Sequence, residues 1–214
     1  MKSSAFDVIV VGGGVIGLAI AREAARSGMS VCLLERGETG GEATGASAGM
    51  LAAQLEAHEA GPLLALSLRS RALYGEFVRQ VEAESGLPVD LRREGAVVVA
   101  LDETGRDALW RQAKDQHRLG LDVETLSRDD VRRLEPAVCG EATGGIRLPH
   151  EHTVDPRLLA AALRGAAERA GAEIRTGVEA AALVSGEGVV RAVRTTAGDE
   201  VRAREVVVAA GAWS

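Results

Sequence analysis

A chain of 214 residues with 46% hydrophobic and 26% charged side chains can bury one large core or two small ones. Its formal net charge of −6 and its lack of a Lys/Arg run exclude a nucleic-acid binder of the basic-patch kind and leave an ordinary soluble globular protein. Two cysteines, Cys32 and Cys139, are far apart and show no metal-type spacing, so neither a disulfide framework nor a metal is expected, which fits a reducing cytoplasm.

Lys2 and the apolar run from Val8 to Ala21 imitate a signal peptide. The run is too short to span a bilayer and is broken by Gly12, Gly13, Gly14 and Gly17, so neither a leader nor a membrane segment is expected. Phe6 to Val11 is a β-branched apolar run stopped by glycine, the pattern of a buried strand. Gly14 to Ser27 reads as a helix with Gly28 at its C-terminal cap, and Ser30 to Leu34 as a second strand ending at Glu35. These three elements have the size of a βαβ unit. Residues 37–51 are rich in Gly, Ala, Ser and Thr and predict a loop leading into a short helical turn.

Leu63 to Ser85 carries apolar residues at helical spacing. Glu94 to Leu101 predicts a buried strand, Asp102 to Leu119 a helix, Ser127 to Leu134 a short helix stopped by Pro136, and Gly145 to Leu148 a further strand. Asp155 and Pro156 open a helix as N-cap and first helical residue; it runs to about Ala170. Glu173 to Thr176 follows as a strand. Val178 to Val184, Val189 to Thr196 and Glu200 to Arg204 form a β-meander, and Val206 to Ala210 a last, separate strand. The fold class is therefore α/β. Residues 1–60 and 150–214 form a discontinuous Rossmann-like domain with a parallel sheet and a meander; residues 61–149 form an inserted α+β lobe with only about two strands, marginal as a sheet.

Gly12-Gly13-Gly14-Val15-Ile16-Gly17 satisfies G-x-G-x-x-G, with a strand before it, a helix after it and Glu35 about twenty residues on. Gly12 permits the tight turn, Gly14 lets the backbone approach a pyrophosphate, and Gly17 lets helix and strand pack closely. The helix start offers free N–H groups and a positive dipole to phosphates. Glu35 can accept hydrogen bonds from ribose hydroxyls and disfavours a 2′-phosphate. The motif by itself does not separate FAD from NAD.

A second segment does. In Thr44-Gly45-Ala46-Ser47-Ala48-Gly49-Met50-Leu51 the sequence resembles the flavoprotein amine oxidases of the D-amino-acid oxidase family, most of all their thiamine-pathway glycine oxidases. Gly45 departs from the pattern, since relatives often carry a larger residue there. A third match is Val154-Asp155-Pro156 with the helix and strand after it, which the family places before an adenine-contacting valine, here Val178. A fourth is Val206 to Ser214, a strand ending in a small-residue turn with an aromatic near the flavin, here Ala210, Gly211 and Trp213; the plain alternative for Trp213 is a core tryptophan.

By resemblance, FAD contacts are expected at Gly12, Gly14, Val15, Ile16, Gly17, Glu35, Arg36, Ala43, Thr44, Ala48, Gly49, Met50, Leu51, Val178, Ala210, Gly211 and Trp213. The resemblance also implies oxidative deamination of glycine or another small amine or D-amino acid to imine or keto acid, ammonia and peroxide, with an arginine holding the substrate carboxylate. That arginine is expected beyond residue 214, because the match stops barely past halfway along the family's length. No catalytic residue is assigned, and 1–214 alone is expected to be incomplete for catalysis. The alternatives are a non-catalytic FAD-binding fragment needing a partner and an NAD-dependent dehydrogenase. The partners expected are a small amino-acid or amine substrate and a second copy or a complementing C-terminal polypeptide. His150 and His152 lack a third ligand nearby and read as a polar loop.

Overall fold

The computed structural model describes residues 5–56, 60–138 and 140–214. Lys2 and Cys139 lie outside the described residues. In chain order the elements begin β1 (Phe6–Val11), α1 (Val15–Arg26), β2 (Val31–Glu35), α2 (Ala43–Ala46), β3 (Met50–Leu51) and α3 (Pro62–Ser85). They continue with β4 (Leu91–Arg92), β5 (Ala96–Ala100), α4 (Glu103–Arg118), β6 (Glu124–Ser127), α5 (Arg128–Leu134), β7 (Gly144–Leu148) and β8 (His152–Val154). The last are α6 (Pro156–Arg169), β9 (Glu173–Thr176), β10 (Ala180–Gly186), β11 (Val189–Thr195), β12 (Glu200–Val208) and a 3-10 turn at Gly211–Trp213. No helix among the described residues is long and apolar enough to cross a membrane.

Backbone proximity divides the chain into two units: Met1–Gly49, Glu76–Asp90 and Asp155–Ser214 in the first, Met50–Gly75 and Leu91–Val154 in the second. The sequence reading drew its boundaries at 60/61 and 149/150; the division by proximity runs through α3 as well.

The first unit is built on a six-stranded sheet in the order β10-β11-β12-β1-β2-β9. β12, β1, β2 and β9 run parallel, and β10 and β11 add an antiparallel edge. The meander strand and the last apolar strand, expected to be separate, are one strand. Its start pairs antiparallel with β11 at Glu200–Arg202, and its continuation pairs parallel with β1 from Ala203 to Val208. No Gly or Pro interrupts residues 200–208, so nothing in the backbone ends the strand at Arg204.

Alternation along the central strands sends side chains to both faces. Ile9, Cys32 and Leu34 pack with Val193, Val201 and Ala203. Val10 lies on the α1 side, where its Cγ1 would sit 3.4 Å from a Cβ placed on Gly17. α1 and α6 pack together through small buried residues, Ala21 and Ala25 against a set including Ala162, Ala166 and Ala167, which lets the helices approach closely. Each fully buried Leu or Val here contributes about 1.5–3 kcal/mol of apolar burial. Burial pushes the Cys32 thiol up to about 11, so it behaves as a small hydrophobe.

The second unit holds two antiparallel three-stranded sheets, β3-β8-β4 and β5-β7-β6. Two strands were expected in the lobe; β3, β4, β6 and β8 were missed because runs of two to four residues carry no readable period. Both faces of the β5-β7-β6 sheet are covered. Val98 joins Ile146, Leu148 and Ala113, while Val97 and Val99 join Leu126 and Val131. That explains why β5 is an unbroken apolar run rather than an alternating one. The helices start where the sequence places them. Asp102 accepts the Gly105 N–H at 2.7 Å, and Ser127 forms a capping box with Asp130.

Candidate functional site

The β1–α1 turn is shaped by backbone crowding. Gly12 has φ +109°, and a Cβ on it would lie 2.3 Å from the Ala209 carbonyl oxygen. A Cβ on Gly17 would lie 2.0 Å from the Gly12 carbonyl oxygen. Both glycines are therefore required by the protein's own packing. Gly14, the N-cap of α1, is different: a Cβ there would meet only the Thr44 hydroxyl, at 3.3 Å. A Cβ on Gly14 would be tight against that one hydroxyl but clear of backbone, unlike those on Gly12 and Gly17.

The start of α1 has no acidic residue in its first turn and no side-chain cap from Gly14. Its positive end is uncompensated and suited to an anion. One of its N–H groups, from Val15, donates to the Thr44 Oγ1 at 3.1 Å. Behind the turn, the two Glu35 carboxylate oxygens accept the Gly13 N–H at 2.6 Å and the Gly37 N–H at 2.8 Å. The Glu35 carbonyl accepts the Val178 N–H at 2.9 Å, which brings Val178 beside it. Glu35 is thus a bound carboxylate with lone pairs to spare.

The segment carrying Thr44 is held from two sides. The Gly40 N–H donates to the Gly13 carbonyl at 2.9 Å, and Arg157 Nε on α6 donates to the Gly45 carbonyl at 3.1 Å. A Cβ on Gly45 would fall 2.5 Å from the Gly40 carbonyl oxygen, so a side chain has no room here. Ala43 and Ala48 are exposed, and Gly49 takes φ +74°. Ile16 is exposed on the first turn of α1. Arg36 bridges to Glu42 and stacks 4.3 Å over the Trp213 ring. Trp213 is 57% exposed, so it is not a core tryptophan. Ala210 opens the 3-10 turn beside Gly12, and Gly211 has φ +62°.

The structure therefore brings Gly12, Gly14, Val15, Gly17, Glu35, Thr44, Val178 and Ala210 around one turn, with Arg36 and Trp213 as a second pair. Met50 and Leu51 fall in the other unit, where β3 pairs with Thr153 and His152. Sequence reading missed Gly13, whose N–H holds Glu35, and Arg157, whose partner is 112 residues away. His150 pairs with Asp122 at 2.7 Å on the surface. Among the described residues no three His, Cys, Asp or Glu side chains are grouped to hold a metal.

A glycine cradle at a bare helix start, between parallel strands and backed by a carboxylate on β2, defines a dinucleotide-binding α/β protein. Residues 7–214 match the family of FAD dependent oxidoreductases (DAO), and the chain belongs to that family, whose cofactor is FAD. It is 35% identical to a glycine oxidase of Geobacillus kaustophilus over 210 residues, covering 98% of this chain and 55% of that protein. It is 34% identical to the bifunctional protein ThiO/ThiG of Synechocystis, covering 97% of this chain and 30% of that one. The fold matches the crystal structure of the Geobacillus glycine oxidase with a TM-score of 0.93, at 34% identity, covering 99% of this chain and 56% of the other. The chain thus spans about half the length of the glycine oxidases it matches.

Proposed function

We propose that these residues hold FAD for the oxidation of glycine or another small amine or amino acid, as in the thiamine-pathway glycine oxidases. The start of α1 carries this reading: no acidic side chain stands in its first turn, and among the described residues no backbone atom crowds the approach to Gly14. The N–H groups of the first α1 turn and the Thr44 hydroxyl would hold the pyrophosphate, Glu35 would accept from ribose hydroxyls, Val178 would lie on the adenine side, and Ala43, Ala48 and Gly49 would leave room for the cofactor. When bound, FAD would supply a hydride acceptor for the amine-bearing carbon, with oxygen as the final electron acceptor. This chain's part is to bind, orient and keep water from the cofactor.

Purified protein should be yellow, with one FAD per chain, and peroxide from glycine, sarcosine or D-alanine would show that these residues suffice for the reaction. Flavin absorbance without peroxide would favour the alternative, in which these residues bind FAD and a further polypeptide completes the substrate site. A colourless protein that binds NAD would overturn the FAD reading.

A further inference from the structure

α2 is a single helical turn, Ala43–Ala46, none of whose residues is buried and whose N-cap, Glu42, makes no side-chain capping bond. One turn cannot hold itself in water, so its place is set by what it touches. It carries Thr44, whose hydroxyl takes the Val15 N–H at the start of α1. A hydroxyl that accepts this N–H still has its own proton to give, and a phosphate oxygen at a helix start is the kind of group that takes it.

On the side away from α1, the segment rests on α6. Arg157, Ala160 and Arg164 follow one another at helical spacing and share one face of that helix. Arg157 Nε donates to the Gly45 carbonyl at 3.1 Å, and Arg164 Nη1 reaches the Thr39 hydroxyl at 3.5 Å. Between them buried Ala160 lies against Gly40, where an added Cβ would come within 2.9 Å of the Ala160 Cβ. Gly40 has φ +72° and ties the chain back to the β1–α1 turn through its N–H on the Gly13 carbonyl at 2.9 Å. Residues 39–45 are thus laid between α1 and α6, all within the first unit.

Helix stability does not explain Arg157. It is the second residue of α6, after the N-cap Asp155 and Pro156, and a cation in the first turn opposes the helix dipole. Arg164, by contrast, is also paired with Glu168 one turn further along the helix. What Arg157 meets is the carbonyl of the residue that follows Thr44.

We propose that Arg157 is a positioning residue: it fixes α2 from the α6 side and so keeps the Thr44 hydroxyl at the start of α1, in place for the FAD pyrophosphate. This rests on the reading above that this turn takes FAD.

The test uses the full chain with Arg157→Met, with Thr44→Val and with both together. In the FAD-free protein Arg157→Met should shift the thermal midpoint by no more than about 3 °C, because the lost bond lies at the surface. Amide exchange at residues 43–46 should become about fivefold faster. FAD binding, read by flavin fluorescence, should weaken about fivefold in Arg157→Met and about tenfold in Thr44→Val. In the double variant the loss should stay at about tenfold, since Arg157 acts through Thr44. Multiplied losses, about fiftyfold, would overturn the proposal, as would exchange at 43–46 that Arg157→Met leaves unchanged. Wild-type FAD affinity alongside faster exchange would overturn it too, and a midpoint shift well beyond about 3 °C would mark Arg157 as merely structural. Wild-type protein that takes up no FAD would overturn the flavin reading itself, and this inference with it, even where exchange responds as expected.

Discussion

The first unit shapes its β1–α1 turn with backbone and the second holds its short strands with side chains. Around Gly12 and Gly17 the backbone approaches to within 2.0–2.3 Å of where a Cβ would stand, so one class of residue is permitted and the geometry follows from a local motif. Around Gln54 the order comes from Glu151, Gln116 and the Asp122 carbonyl, which are 97, 62 and 68 positions from it, and from Arg71, 17 positions away, and these share no local pattern. Crowded backbone tolerates no added atom, whereas a polar network fails when one member loses its partner.

Gly17→Ala tests the first mechanism most severely. It should cost about 3 kcal/mol or more in urea unfolding and abolish FAD uptake, since the clash is with backbone. Gly14→Ala should separate packing from ligand access. The FAD-free protein should unfold within about 1 kcal/mol of wild type, while FAD binding, read by titration of flavin fluorescence, should weaken about a hundredfold, or roughly 2.7 kcal/mol. Equal losses in both measurements would erase the distinction drawn between Gly14 and its neighbours.

Gln54→Leu probes the second mechanism and should cost about 2–3 kcal/mol, because the buried Gln116 amide and the Asp122 carbonyl lose their partner. Ser127→Ala, which removes the capping box of α5, should cost about 1 kcal/mol. Glu84 adds a pH test, since the hydrogen bond from buried Arg22 holds its carboxyl below the usual glutamate range. A depressed folded-state pKa gives stabilisation that is present above the unfolded value and is lost as pH falls through the folded one. The urea midpoints of wild type and Glu84→Gln should therefore differ at neutral pH and converge as pH falls below the usual glutamate range.

Much of the first unit was legible because its signals are local. The run stopped at Gly12 predicted β1, Asp155-Pro156 predicted the start of α6, and the glycine spacing predicted the turn at α1. Where local signals were weak, the reading failed in a physical way. Residues 200–208 contain no breaker, so an antiparallel end and a parallel end could belong to one strand, and only pairing with both β11 and β1 reveals it. β3, β4 and β8 are too short for periodicity and exist because neighbours supply their hydrogen bonds.

The sequence by itself determined the βαβ turn, the helix boundaries, the acidic residue behind the turn and the resemblance that named FAD, because each depends on residue types at fixed short spacing. Only the tertiary structure decided that Gly14 meets just the Thr44 hydroxyl while Gly12 and Gly17 are crowded by backbone, that Gly45 has no room for a side chain, that Trp213 lies exposed under Arg36, and that Glu151 ties β8 to Gln54. Those facts depend on atoms brought together across the chain, and no spacing along it encodes their distance.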